Sequence, residues 1–212
     1  PGNVAVAAHP DVEYALVTAD GMGEEKLILA RNLVEKVFFD RPVRILKTMK
    51  GKSLKGKRYA PLFTFFPPEK PAHYVVNADY VTTEDGTGLV HIAPAYGEDD
   101  FRVCREAGIT VMADPLDSVC QFTNKLPEYQ GRFCKDCDKD LIKRLKQEGK
   151  LVHQTTIVHS YPFCDRTDTP LIYRAIEAWY VRVEDLRERL TRNNATVHWM
   201  PDYVGDKRFG NW

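Results

Sequence analysis

Short runs of alternating apolar and polar residues, separated by glycine- and proline-rich turns, dominate the first half of the chain. The alternation predicts strands over 3–8, 14–18, 43–49, 74–76 and 89–92, because successive side chains of a strand point to opposite faces. The run Pro-Pro-Glu-Lys-Pro at 67–71 ends an apolar, aromatic segment over 61–66. Several short strands of this kind predict a barrel or sandwich core.

Apolar positions at helical spacing occur in four other segments. They predict helices over 24–38, 101–108, 136–147 and 186–193, of which the first and third have an apolar stripe on one face. Acidic residues lie at the start of the first two, where they face unpaired N–H groups and the positive end of the helix dipole. We interpret the first helix as scaffolding. Further short strands are predicted at 109–112 and 151–158.

Composition excludes some functions and leaves others open. The chain has 212 residues, enough for one sizeable domain with or without a small appendage, and its 43% hydrophobic and 28% charged residues are ordinary for a globular protein. Lys plus Arg equals Asp plus Glu at 30 each, which argues against tight autonomous RNA binding. The lysine-rich stretch 49–59 could still touch RNA phosphates, although such stretches are more typical of solvated loops. No membrane span or signal peptide is evident, and five scattered cysteines suit a reducing cytoplasm.

The stretch 85–101, DGTGLVHIAPAYGEDDF, carries the most chemistry. Gly86 and Gly88 precede a short strand that contains His91, and Asp99 and Asp100 follow at a helix start. A histidine on a strand and an acid at a helix start can meet across such a corner and form a small pocket. Acids at this position are, however, more often helix caps, and a lone histidine is more often a satisfied core or edge residue.

Other site motifs fail on spacing. The glycines at 86 and 88 precede a strand and do not open a helix, so no dinucleotide fingerprint is present, and no phosphate-binding GxxxxGK[ST] loop occurs. Cys134 and Cys137 have zinc-knuckle spacing, but a structural zinc needs four ligands and neither a second CxxC nor an HxxxH follows. We therefore expect no metal. No Ser-His-Asp or Cys-His nucleophile arrangement can be identified either.

Four ordered motifs resemble the editing (CP1) domain of isoleucyl-tRNA synthetases. They are PGN at 1–3, GTGLVHIAP with GEDDF at 86–101, HSYPFCDRTDTPLIYRAIEAWYVRV at 159–183 and KRFGNW at 207–212. The closing motifs resemble the eukaryotic cytosolic branch, and valyl and leucyl relatives carry Lys or Met in place of His91. Two features depart from the family pattern. The threonine-rich segment that precedes the Pro-x-Asn triplet is missing, and Thr167 stands where some members have a zinc-binding cysteine.

The resemblance implies an α+β fold, a distorted β-barrel editing domain surrounded by helices. It implies one editing domain over 1–212 that is part of a larger synthetase, with the barrel core and helices at 1–158 and a segment at 159–212 that returns towards the catalytic domain. The implied partners are the 3′ end of tRNA(Ile) carrying valine and the catalytic and anticodon domains of the synthetase, in the cytoplasm and without a membrane. ATP and Mg²⁺ would serve the parent catalytic domain, so no cofactor is expected in this segment.

The implied activity is hydrolysis of valine wrongly esterified to tRNA(Ile), or of valyl-adenylate. One methylene gives only about 1–3 kcal/mol of discrimination, a limit for which the isoleucyl enzyme is itself the standard example. By resemblance, Asp100 anchors the substrate α-amino group and His91 sets the accepted side-chain size. The resemblance also assigns substrate binding to Asn3, Gly86, Thr87, Gly88 and, as the weaker candidate, Asp99. Hydrolysis would use a positioned water, assisted by a ribose hydroxyl.

Two alternatives remain open. A valyl- or leucyl-type editing domain has the same fold, but His91 argues against it. A non-catalytic insertion that positions tRNA or packs against the parent belongs to another class, and the missing threonine-rich segment keeps it open. A terminus at Asn3 could also be frayed, which would remove this residue from any pocket.

Overall fold

The chain forms two small sheets flanked by short helices. In a computed structural model, which describes residues 1–39, 41–64, 67–156 and 158–211, the strands are β1 (Ala5–Ala8), β2 (Glu13–Ala19), β3 (Leu27–Ala30), β4 (Val43–Lys50), β5 (Tyr74–Asn77) and β6 (Leu89–Ile92). The α-helices are α1 (Val34–Phe38), α2 (Glu98–Glu106), α3 (Asp138–Gln147) and α4 (Arg187–Asn194). Residues cluster into two compact units, Pro1–Ala175 and Ile176–Trp212.

The strands pair in two three-stranded sheets within the described ranges. In the order β5–β1–β6, β1 runs parallel to β5 and antiparallel to β6, which places Val6 opposite both Val75 and His91. The second sheet has the antiparallel order β3–β2–β4, with an irregularity at Leu16 and Val17. These sheets and the helices form a mixed α/β architecture. A distorted barrel that joins them stays a prediction.

One apolar core holds the first sheet against α2. It comprises buried residues of β1, β5, β6, α2 and the segments around them: Val4, Ala5, Ala7, Ala72, Val76, Ala78, Val81, Ile92, Val103, Cys104, Ile109, Val111 and Ala113. Burial of such side chains is the main favourable contribution to folding. Because α2 packs on the sheet through Val103 and Cys104, the start of α2 is held beside the end of β6.

Most local predictions are confirmed, and those for the segment 24–38 and for two short strands are wrong. Instead of one helix, Leu27–Ala30 forms β3, a 3₁₀ turn follows at Arg31–Leu33, and only α1 is helical. Antiparallel pairing of β3 with β2 satisfies the backbone of 27–30, and this tertiary interaction outweighs weak helix propensity. No strand occurs over 109–112 or in the described residues of 151–158. The predictions for Phe65, Phe66 and Ile157 lie outside the described residues.

The second unit, taken by itself, contains α4 and the closing turns. Trp199 stacks near Phe209 with ring centroids 4.8 Å apart, and its indole N–H donates to Asn194 Oδ1 at 2.9 Å. Trp179 is fully exposed, and Trp212 lies outside the described residues. The predicted division of the chain after residue 158 stays a prediction. Across the described ranges, no helix combines the length and apolar character that crossing a membrane requires.

Candidate functional site

The turn from β6 into α2 forms the corner on which the site is built. Gly97 is the extended N-cap residue of α2, and Asp100 lies in the first helical turn. The Asp100 carboxylate bridges back across the corner: Oδ2 accepts the backbone N–H of Ala93 at 2.8 Å, and Oδ1 accepts the hydroxyl of Tyr80 at 3.2 Å. The Asp100 carboxylate therefore connects the start of α2 to the end of β6.

The Asp100 carboxylate has no ion-pair partner within 4.0 Å in the described part of the chain. The arginine two residues further on, Arg102, is bound instead by Asp99 at 2.8 Å and Glu106 at 3.5 Å. Burial, followed by the nearby Asp100 charge, raises the pKa of Tyr80, so its hydroxyl stays a donor at neutral pH. The hydrogen-bond donors that hold the Asp100 carboxylate, the Tyr80 hydroxyl and the Ala93 N–H, are thus both uncharged.

His91 lies near the end of β6, on the same corner. Asn3 Nδ2 lies 2.9 Å from His91 Nδ1. Burial of the ring lowers the pKa of His91 from 6.5, and the Asp100 charge opposes this shift. His91 as a whole residue is nevertheless exposed to solvent. At neutral pH its imidazole is therefore uncharged, and it lies on the same corner as the Asp100 carboxylate.

His91 and Asp100 line the same cleft, which has a volume of about 540 Å³ within the first unit. Ala93 and Tyr96 of the corner form one part of its wall. The other lining residues come from the chain start and from the segments after α2: Pro1, Gly2, Pro115, Leu116, Phe122, Cys134, Lys135, Asp138, Leu141, Tyr161, Ile172 and Tyr173. The structure thus brings together the two residues that the resemblance makes most important, while their roles stay predictions.

Asn3 is tightly hydrogen-bonded, in contrast to the frayed terminus considered from the sequence. Its Nδ2 donates to Ala5 O at 2.7 Å and contacts His91, while the Tyr59 hydroxyl donates to its Oδ1. The ring of His73 lies 3.2 Å from its backbone oxygen. Asn3 is therefore coupled to the cleft through His91.

Gly88 lies against the second sheet and does not line the cleft. Its φ is +70°, and a Cβ built there would lie 2.5 Å from Ala30 Cβ. Its carbonyl accepts the Tyr14 hydroxyl at 2.6 Å, and the neighbouring Thr87 carbonyl accepts the Ala30 N–H at 2.8 Å. Glycine is thus required here by close approach to β3.

The remaining candidate residues are exposed and also lie outside the cleft lining. Gly86 and Thr87 are on the surface of the turn before β6, and Asp99 pairs with Arg102 on α2. The structure therefore does not place Gly86, Thr87 or Asp99 in the lining of the cleft that contains His91 and Asp100. Their substrate-binding roles stay predictions.

A polar cluster behind Tyr96 was not found from the sequence. The Tyr96 hydroxyl donates to Asp114 Oδ1 at 2.8 Å, and Arg174 Nε donates to Asp114 Oδ2 at 2.8 Å. Arg174 Nη2 also donates to Leu116 O at 2.7 Å. These contacts connect Tyr96 to Leu116, which both line the cleft, through Asp114 and Arg174. Because Asp114 and Arg174 are 60 residues apart, no local periodicity could indicate the pair.

The CxxC pair forms a 3₁₀ turn at Cys134–Cys137. Cys137 is buried among apolar residues that include Leu126 and Tyr129, and burial raises the pKa of its thiol. In the ranges that the structure describes, no group of three or more His, Cys, Asp or Glu side chains is placed to hold a metal ion. The environment of Cys137 is that of a small apolar core residue.

Comparison with known proteins places most of the chain in one family. The model for class I tRNA synthetases (I, L, M and V) matches residues 6–212. The isoleucine–tRNA ligase of Bdellovibrio bacteriovorus is 48% identical over 100% of this chain and 20% of its own length. The isoleucine–tRNA ligase of Chlamydia pneumoniae is 41% identical over 100% of this chain and 20% of its own length. The cytoplasmic isoleucine–tRNA ligase of Caenorhabditis elegans is 42% identical over 100% of this chain and 19% of its own length. The chain thus spans about a fifth of the length of these relatives.

These identities do not single out a eukaryotic branch. The bacterial relative at 48% identity is more similar than the cytoplasmic nematode relative at 42%, so the resemblance of the closing motifs to the eukaryotic branch is not specific.

A solved structure described as GlLeuRS-CP1 matches 76% of this chain and 79% of that chain, with a TM-score of 0.49 and 14% identity.

Proposed function

Because this chain belongs to the class I tRNA synthetase family (I, L, M and V), we propose that it is the editing (CP1) segment of an isoleucyl-type synthetase. Its reaction is hydrolysis of valine wrongly esterified to the 3′ end of tRNA(Ile), with valyl-adenylate as a second substrate. The isoleucine–tRNA ligase names of relatives at 48% and 41% identity support the isoleucyl assignment. In this proposal the two sheets are parts of the distorted barrel, and the remainder of the synthetase delivers the tRNA end.

The single observation that carries the proposal is an unpaired carboxylate in a cleft. Asp100 lines the cleft and has no ion-pair partner in the described part of the chain. An aminoacyl ester has a free α-amino group, which is cationic when protonated, and a carboxylate binds such a group through charge-assisted hydrogen bonds. Tyr80 and Ala93 each occupy one acceptor position of the carboxylate, and further lone pairs remain for a ligand.

His91 limits the size of the amino-acid side chain in the proposed site. It lines the cleft together with Ala93 and Asp100, so a side chain held by its amino group at Asp100 extends beside the imidazole. A neutral ring is a steric boundary that accepts valine and excludes the larger isoleucine. The difference of one methylene corresponds to about 1–3 kcal/mol.

The other predicted residues have supporting roles in the same proposal. Asn3 acts through His91, which it contacts. Gly86, Thr87 and Asp99 would bind parts of the tRNA end beyond the residues that line the cleft, and Gly88 would position their turn by packing against β3. The ester is then attacked by a positioned water, because holding the reactants in place removes much of the entropic barrier.

Calorimetry with a non-hydrolysable valyl-adenosine analogue tests the amino-group anchor. We expect the chain to bind this analogue, and Asp100→Asn to weaken binding by about 10- to 150-fold, since hydrogen bonds to charged groups contribute about 1.5–3 kcal/mol. Glu98→Gln is the matched control, because it removes one carboxylate charge from an exposed residue in the same first turn of α2. Equal affinity of wild type and Asp100→Asn would contradict the anchor role.

The isoleucyl analogue tests the role of His91 in the same experiment. Wild type should prefer the valyl analogue, and His91→Ala should bring the two affinities closer together because it removes the steric boundary. If His91→Ala kept the same preference for the valyl over the isoleucyl analogue, His91 would have only a structural role. A folded chain that binds neither analogue would instead favour the non-catalytic insertion.

A further inference from the structure

Asn3 connects a half-buried tyrosine to the histidine of the cleft, and the hydrogen-bond partners of its amide indicate how the amide is oriented. The nitrogen Nδ2 lies 2.7 Å from the backbone oxygen of Ala5. A carbonyl oxygen only accepts hydrogen bonds, so the amide atom facing it must be the NH₂ group. The amide oxygen Oδ1 then faces the Tyr59 hydroxyl, which donates to it.

This orientation determines the hydrogen-bonding state of His91. The same Asn3 Nδ2 lies 2.9 Å from His91 Nδ1 and 3.5 Å from Ile92 O, so its two protons are directed to the two nearer acceptors, Ala5 O and His91 Nδ1. An amide nitrogen donates and does not accept, so Nδ1 must accept and cannot carry a proton. In the neutral ring the proton then resides on Nε2.

The opposite nitrogen of His91 is available to a ligand. His91 lines the cleft, whereas Asn3 does not, and no hydrogen bond in the described part of the chain engages Nε2. We infer that Tyr59 and Asn3 are positioning residues that hold His91 as the Nε2–H tautomer, so that it presents one hydrogen-bond donor to an acceptor oxygen of a ligand in the cleft.

The surroundings of Tyr59 support its role as a donor. Burial raises the pKa of Tyr59, so its hydroxyl remains protonated at neutral pH. Its ring packs edge-on against His73 with centroids 5.7 Å apart, and His73 in turn contacts the Asn3 backbone oxygen. His73 therefore contacts both the ring of Tyr59 and the backbone of Asn3.

This inference extends the proposed function, since an aminoacyl ester offers carbonyl and ribose oxygens as acceptors. A donor at Nε2 would orient such an oxygen beside the amino-group anchor. The tautomer is nevertheless a property of the free protein. It can be measured whether or not a valyl ester binds, so failure of one proposal is distinguishable from failure of the other.

Nitrogen-15 NMR of histidine-labelled protein at pH 7.5 tests the inference. Long-range proton–nitrogen spectra distinguish the two tautomers, and His91→Gln identifies the His91 signals among the six histidines. Wild type should show a protonated Nε2 and an unprotonated Nδ1. Asn3→Asp replaces the amide donor with an acceptor, so His91 should change to the Nδ1–H tautomer.

Tyr59→Phe removes the donor to Asn3 Oδ1 and leaves Ala5 O to orient the amide, so the Nδ1–H tautomer should appear as a minor population. A purely wild-type tautomer in Tyr59→Phe would overturn the role of Tyr59. Tyr74→Phe is the matched control, because it removes another partly buried hydroxyl, which donates to Ala107 O at 3.3 Å. This control should keep the wild-type tautomer. A protonated Nδ1 in wild type, or an unchanged tautomer in a folded Asn3→Asp protein, would overturn the inference.

Discussion

At the scale of single residues, the Asp100 carboxylate both joins two elements of the fold and lines the cleft. Its carboxylate accepts one backbone N–H and one hydroxyl, which join the end of β6 to the start of α2. Neither bond is to an N–H group of α2, so Asp100 does not act as the hydrogen-bonding helix cap that its sequence position also allowed. The same carboxylate lines the cleft and retains acceptor capacity.

The titration of His91 is the first prediction at this scale. We expect an NMR-measured pKa below 6.5, because burial disfavours the charged ring. Since Asp100 opposes this shift, Asp100→Asn should lower the pKa further, while Asp99→Asn should change it less. A pKa that rises in Asp100→Asn would contradict this electrostatic coupling.

The same shift makes stability depend on pH with a definite sign. His91 binds a proton less readily in the folded chain than in the unfolded one, so the unfolded state holds more protons below pH 6.5. The contribution of His91 to the free energy of unfolding is therefore highest above pH 6.5 and decreases as the pH falls towards the native pKa. His91→Gln should remove this part of the pH dependence.

At the scale of elements, β3 shows how tertiary pairing changes a local pattern. The segment 24–38 has apolar residues at helical spacing, yet Leu27–Ala30 pairs with β2. The turn before β6 then packs on Ala30, where the Thr87 carbonyl accepts the Ala30 N–H. Gly88 is therefore part of the junction between the two sheets.

Two glycine substitutions separate backbone strain from close packing at this junction. Gly86 and Gly88 have nearly equal φ values of +71° and +70°, so alanine at either should cost a similar strain of about 1–2 kcal/mol. Gly88→Ala also places Cβ 2.5 Å from Ala30 Cβ, whereas nothing lies within 4 Å at Gly86. Overpacking should add about 1–3 kcal/mol. Equal losses of stability in chemical denaturation would contradict this structural role of Gly88.

At the scale of the whole molecule, a zero net charge conceals a strong segregation of charge. Residues 41–58 hold eight Lys and Arg and no Asp or Glu, so the rest of the chain holds 22 basic and all 30 acidic residues. All eight basic side chains are exposed, and none forms an ion pair within 4.0 Å where the structure describes the chain. This strand and turn have the electrostatic character of a phosphate-binding surface.

We expect this basic segment to contribute salt-dependent RNA binding. Reversing the charges of Lys47, Lys52 and Lys55 to Glu should weaken binding of tRNA and reduce the slope of log K against log salt by about 2–3, since each phosphate contact contributes about 0.7–0.9. Charge reversal of Lys139, Lys143 and Lys146 on α3 is the control of equal charge change. Equal effects of the two triple variants would identify 41–58 as an ordinary solvated segment.

The sequence by itself determined the parts of this protein that depend on short-range order. Strand β6, the turn with Gly97 and the acids at the start of α2 lie within one stretch of the chain, so periodicity and capping chemistry are sufficient to predict the corner. His91 and Asp100 could be named for the same reason, and the family motifs made their roles specific.

Tertiary structure alone decided the contacts that join distant segments. Asn3 meets His91 across 88 residues and Tyr59 across 56, and these separations leave no periodic signal. The conversion of 27–30 into β3 and the position of Thr87 and Gly88 against it likewise depend on pairing with β2. Local propensities of a few tenths of a kcal/mol per residue are too small to resist such pairing. The tautomer of His91 was inferred from its contact with Asn3, and that contact exists only in the folded chain.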